Sequence, residues 1–149
     1  MKQDKVTINV VVDVIRALSE NSLKNSLYLM DDSVADSRNQ CTPHLCTACL
    51  PGQTVHWVIH ALDLQTPVSI RDISFQKPVD EDELPYEDLS LNTWTAVLPC
   101  METGHQYFYR LSLQMGYGKH SALSICTPSL VRAYPACSED ETDLKNEAL

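Results

Sequence analysis

Pro51-Gly52-Gln53-Thr54-Val55-His56-Trp57-Val58-Ile59-His60-Ala61 is the stretch whose reading decides the fold. A Pro-Gly pair turns the backbone, and the β-branched and aromatic residues after it favour an extended strand. Side chains alternate along a strand, so Val55, Trp57 and Ile59 share one face while His56, Val58 and His60 share the other. Only aliphatic residues flank Trp57 on its own face, which makes that face the expected core side of a sheet.

Working outward, the other readable segments are strands that could pack on this one. Val6 to Ile15 is the clearest, with Val6, Ile8, Val10, Val12 and Val14 on one face and Thr7, Asn9 and Asp13 on the other. Its β-branched density disfavours a helix. Arg16 to Asn25 is polar and fits a turn or a short helical stub; Ser26 to Met30 then reads as a second strand. Val68 to Phe75 reads as one strand with a phase slip near Asp72, the mark of a bulge. Asn92 to Pro99 carries Trp94, Ala96 and Leu98 on one face, and His105 to Met115 carries Tyr107, Tyr109, Leu111, Leu113 and Met115 on one face. Gly116-Tyr117-Gly118 closes a hairpin with a last strand from Ser121 to Thr127, stopped by Pro128. About seven to eight short strands, with no long amphipathic helix and no repeat, imply an all-β sandwich of mainly antiparallel strands.

The 149 residues fit one domain, expected over 1–136, with an acidic, disordered tail over 137–149. The net charge of −9 is unevenly spread: Asp80 to Asp88 holds six acids and no base, and Cys137 to Leu149 holds five acids against Lys145. Those segments together carry −10, which leaves the body at +1. No Lys/Arg cluster is present to displace counterions, so a nucleic-acid partner is not expected. No apolar run reaches the roughly 18 residues of a membrane span, so no membrane partner is expected either. Met1 to Lys5 passes straight into a strand pattern without a signal-peptide core, and a cytoplasmic protein is expected. In that compartment the six cysteines read as free thiols.

Three clusters invite chemistry. Cys46-x-x-Cys49, with Cys41 and His44 nearby, suggests zinc or redox work. A zinc finger needs a second ligand pair at its own spacing, and a thioredoxin-like site needs a strand-to-helix context, whereas this motif runs into Pro51-Gly52. Small thiols in a loop and strand entry are therefore expected, with no metal and no cofactor. His56 and His60, four apart on a strand, lie roughly 13 Å apart, too far for one metal without a third element. Asp80 to Asp88 lacks the central Gly and the alternating acid spacing of a calcium loop, and reads as a solvated segment. Trp57 and Trp94 are expected in the core rather than on a sugar-stacking platform. No catalytic, cofactor-binding or metal-binding residue is assigned.

The ordered series Val6-Thr7-Ile8-Asn9-Val10-Val11-Val12-Asp13, Ser26-Leu27-Tyr28-Leu29-Met30-Asp31-Asp32-Ser33, Pro51-Gly52-Gln53-Thr54-Val55-His56-Trp57, Thr93-Trp94-Thr95 and Tyr107-Phe108-Tyr109-Arg110-Leu111 resembles the bacterial AidA/PixA inclusion-body protein family. The resemblance runs from about Lys5 to about Pro128 and rests on strand patterns, with no catalytic signature. It implies an immunoglobulin-like β-sandwich, cytosolic, in host-associated bacteria, with links to quorum-sensing control or intracellular inclusions. It supplies no catalytic residues.

Three functions compete. The first is a non-enzymatic accessory or binding protein whose ligand is an unknown small molecule or protein. Phosphate loops, Gly-x-Ser-x-Gly elbows and His-Glu-x-x-His motifs are all missing, and four glycines leave little room for Gly-rich cofactor loops. The second is a self-assembling inclusion-body or storage protein, a homo-oligomer built through sheet edges. The third is a thiol-dependent enzyme using Cys46 or Cys49 with a nearby histidine. The first is the expected function.

Overall fold

The computed structural model describes residues 4–50, 52–62, 66–75, 86–88, 93–97, 105–116 and 121–133, with the backbone alone for 86–88 and 93–97. The first strand, β1 (Lys5–Val12), buries Val6, Ile8, Val10 and Val12 completely, as its alternation requires. It stops three residues earlier than the β-branched run suggests, because Asp13 caps a helix. The Asp13 carboxylate accepts the Arg16 N–H at 3.2 Å and starts α1 (Val14–Glu20). A cap thus overrides the strand propensity of Val14 and Ile15. Asn21, in the left-handed region at φ 52°, ends the helix and donates its N–H to the Ala17 carbonyl.

Then come β2 (Leu27–Asp31), β3 (Cys46–Cys49), β4 (Thr54–Ala61) and β5 (Val68–Phe75). They are followed by β6 (Tyr86–Asp88), β7 (Thr93–Val97), β8 (Gln106–Met115), β9 (Ala122–Ile125) and β10 (Ser129–Arg132). One sheet has the order β2-β1-β4-β7-β6; the other runs β3-β10-β8-β5, with β9 also beside β8.

The all-β class holds, the strand count is corrected, and the mainly antiparallel pairing is qualified by two parallel pairs. Ten strands are present among the described residues, against the seven or eight expected. Both sheets are mixed: β1 runs parallel to β4, and β3 parallel to β10. The extra strands were hidden in three ways. β3 lies in the cysteine segment read as a loop, β6 lies inside the acidic stretch read as solvated, and β10 follows Pro128. Proline lacks the ladder donor, so β9 and β10 pair with β8 on either side of Cys126-Thr127-Pro128. The expected bulge in β5 is present, where the register shifts between Ile70 and Asp72. The hairpin of β8 and β9 is also present. The tail, 137–149, lies outside the described residues.

One buried cluster takes side chains from both sheets, among them Ile8, Leu29 and Trp57 from the first and Ile73, Tyr109, Leu111 and Leu130 from the second. Trp57 is its centre. Its Nε1–H donates to the Tyr109 hydroxyl at 3.2 Å, and the two rings meet edge-on with centroids 5.5 Å apart. Phe75 packs against the same tyrosine, centroids 5.9 Å apart. Such edge-to-face pairs contribute roughly 0.5–1.5 kcal/mol beyond the area they bury. Trp94 stands beside Trp57 in the β4–β7 register, but its side chain lies outside the described residues.

Candidate functional site

Two polar side chains with buried atoms stand on β2 and β3, edge strands of the two sheets. Leu27 and Leu29 point into the core, so alternation turns Asp31 to the same side. On β3, Cys49 belongs to the core cluster and Thr47 shares its face; both are buried. The β10 register sets Leu130 beside Thr47 and Arg132 beside Cys49. Ser33 ties the two strands together. Its N–H donates to Oδ1 of Asp31 at 3.1 Å, and its hydroxyl donates to the Ala48 carbonyl at 2.6 Å. Gln40 adds an Nε2–H bond to the same Oδ1 at 3.0 Å.

Two side-chain oxygens of these strands, Oδ2 of Asp31 and Oγ1 of Thr47, are buried without a hydrogen-bond partner. Leaving a buried polar group unpaired costs about 1–3 kcal/mol, more when it is charged. Burial first, then the Asp31 carboxylate and Cys46, pushes the Cys49 thiol up to about 12. Burial also raises the Tyr109 hydroxyl far above its ordinary value, against the opposing effect of the Trp57 hydrogen bond. These strands therefore hold a neutral thiol, a neutral phenol, a hydroxyl able to donate and accept, a carboxylate oxygen without a donor and, at the register position of Cys49, the Arg132 guanidinium. That arrangement suits a small group bearing N–H or O–H. A thiolate at Cys49 is disfavoured by that burial.

The residues weighed from sequence are dispersed. Cys46 and Cys49 sit three apart on a strand, so they face opposite sides of β3 and form no chelate. Cys41 is exposed, and Cys41, Cys46, Cys49 and Cys126 form no disulfide. His44 lies on the exposed connection before β3. His60 pairs with the Asn9 side chain at 3.0 Å on the outer face of the first sheet, and His56 shares that face. Among the described residues no three His, Cys, Asp or Glu side chains are grouped to hold a metal ion. No helix there is long and apolar enough to cross a membrane. Residues 80–85 of the acidic segment lie outside the described residues.

Asp31 and Thr47 were missed by the reading of the sequence. Asp31 had a signal, since it is in phase with Leu27 and Leu29. Thr47 had none, because all four residues of β3 are buried and leave no alternation to read.

A family model described as "Domain of unknown function (DUF8788)" matches residues 4–122. Among solved structures, the chain is similar to the crystal structure of an inclusion body protein, PixA, from Burkholderia cenocepacia J2315. The TM-score is 0.64 at 9% identity, over 90% of this chain and 94% of that one. At that identity the likeness shows the fold, so the resemblance drawn from the strand series holds at that level. No curated protein matches.

Proposed function

The chain belongs to the family of the domain of unknown function DUF8788, and from that premise we propose that it is a non-enzymatic accessory or binding protein of the AidA/PixA type. The observation that carries the binding reading is the pair of unsatisfied atoms at the β2–β3 seam, Asp31 Oδ2 and Thr47 Oγ1. Interiors rarely leave such groups unpaired, and a small polar ligand with an N–H or O–H donor would satisfy either. The two sheets are read as an immunoglobulin-like sandwich, which their shared core supports. A cytoplasmic setting is supported by the four cysteines that form no disulfide. Control by quorum sensing and a host-associated bacterial source belong to the same proposal and rest on the resemblance of the strand series alone. Neither a nucleic acid nor a membrane is a proposed partner.

The test is native mass spectrometry of the untagged protein beside Thr47→Val. Added mass on the folded wild-type ion, lost on denaturation and missing from the variant, supports the reading. Valine also removes an unpaired hydroxyl, so the ligand-free variant is expected to be more stable by about 1 kcal/mol. A destabilised variant would show that Thr47 has a partner and would remove the basis for the site.

The second reading is self-assembly, favoured by the fold likeness to a protein whose title names it an inclusion body protein. The thiol-enzyme alternative is tested directly. An alkylating reagent is expected to label the exposed Cys41 and Cys126 in the folded protein and to leave the buried Cys46 and Cys49 unmodified. Fast labelling of Cys49 would restore the enzyme reading.

A further inference from the structure

The connection between β2 and β3, residues 32–44, runs from the edge of one sheet to the edge of the other and is hydrogen-bonded along both. One part follows β3. Arg38 and Cys46 exchange both backbone hydrogen bonds, at 3.0 and 2.9 Å, and the Ala48 N–H donates to the Ser37 hydroxyl at 3.0 Å. The next part follows β2, where the Cys41 N–H reaches the Leu29 carbonyl at 2.7 Å and Thr42 forms a single antiparallel bridge with Leu29. Both ends of the segment are continuous with the strands it covers.

The same segment grips the candidate site. Gln40 clamps Asp31 at two points, donating its Nε2–H to Oδ1 and accepting the Asp31 N–H at Oε1, each at 3.0 Å. Ser33 donates its N–H to the same Oδ1 and its hydroxyl to the Ala48 carbonyl. Both donors therefore go to Oδ1, and Oδ2 receives none. Thr47 stands between Cys46 and Ala48, the two residues of β3 that the segment bonds.

Burial separates the cover from what it covers. None of residues 32–44 is buried, whereas Thr47 is wholly buried. A segment held by hydrogen bonds near solvent, without buried anchors, opens at lower cost than a packed core. A small molecule reaches the Thr47 hydroxyl only when part of its surroundings moves, and this segment is the part with the least to break.

We propose that residues 32–44 form a lid over the Asp31 and Thr47 site, hinged where the segment joins β2 and β3. The inference rests on the binding function proposed for that site. The lid lifts to admit the small polar molecule, then closes with Ser33 and Gln40 on one oxygen of Asp31 while the molecule donates to the other.

The experiment uses the full-length, untagged protein with the small molecule it retains through purification. Amide hydrogen exchange is followed at Arg38 and Cys46 on the lid contact, and at Tyr109, whose N–H bonds the Pro128 carbonyl in the core. The series is repeated in urea below the unfolding transition. Loss of the retained mass after dilution is timed by native mass spectrometry. Arg38 and Cys46 are expected to exchange roughly tenfold or more faster than Tyr109, with little dependence on urea. Ser37→Ala removes one lid bond without touching Asp31 or the Thr47 hydroxyl. It should speed exchange at Arg38 and Cys46, and loss of the retained mass, by the same factor of roughly five. Exchange at the Tyr109 rate with the Tyr109 urea slope overturns the lid, because the segment then opens only with the whole molecule. A variant that exchanges faster but releases the mass at the wild-type rate overturns it too, because opening then does not gate the site. A bare wild-type ion removes the binding function and the lid together, whereas a retained mass with either of the other two results removes the lid alone.

Discussion

Tyr109 is where the two sheets are fastened at the level of single atoms. Its hydroxyl accepts from Trp57 Nε1, and no solvent reaches either side chain. Tyr109→Phe leaves the indole N–H buried and unpaired, so it should cost about 1–3 kcal/mol in urea unfolding. A loss below about 0.5 kcal/mol would mean that the indole finds another acceptor. Cys49 sets the alkaline limit. The unfolded chain releases its thiol proton near 9.0, whereas the folded chain holds it to about 12. The folded state binds more protons between those values, so stability is full below about 9 and falls as the pH rises toward about 12. Tyr109, raised above its ordinary 10.0, pushes in the same direction at higher pH. Cys49→Ala should flatten the early part of that fall, measured as urea midpoints at stepped pH. A slope identical to wild type would mean the thiol is not buried as described.

Among the elements, α1 shows where local chemistry defeats a strand pattern. Asp13→Ala removes the carboxylate that accepts the Arg16 N–H and should cost about 1 kcal/mol. An unchanged stability would mean that water caps the helix equally well. The strands that were legible, β1, β4, β5 and β8, are long and have one buried face, so residue type alternates with burial. β3 is short and buried on both faces, β6 is made of Tyr86, Glu87 and Asp88, and β10 begins just after a proline. In those three the strand state is imposed by a neighbouring strand rather than by their own residues. The candidate site was illegible for the same reason. Asp31 stands on β2 and Thr47 on β3, edge strands of different sheets, and nothing in either local stretch announces the other.

For the molecule as a whole, parallel pairing in each sheet places β1 beside β4 and β3 beside β10. That arrangement brings one core together from distant segments and leaves the β2–β3 seam as its polar margin. On the proposed function, this margin is a binding site. The most direct measurement is native mass spectrometry of the untagged protein, compared with Thr47→Val under the same conditions. A small-molecule mass is expected on the folded wild-type ion, disappearing on denaturation and never appearing on the variant. A bare wild-type ion, or an added mass that the variant keeps, would contradict it.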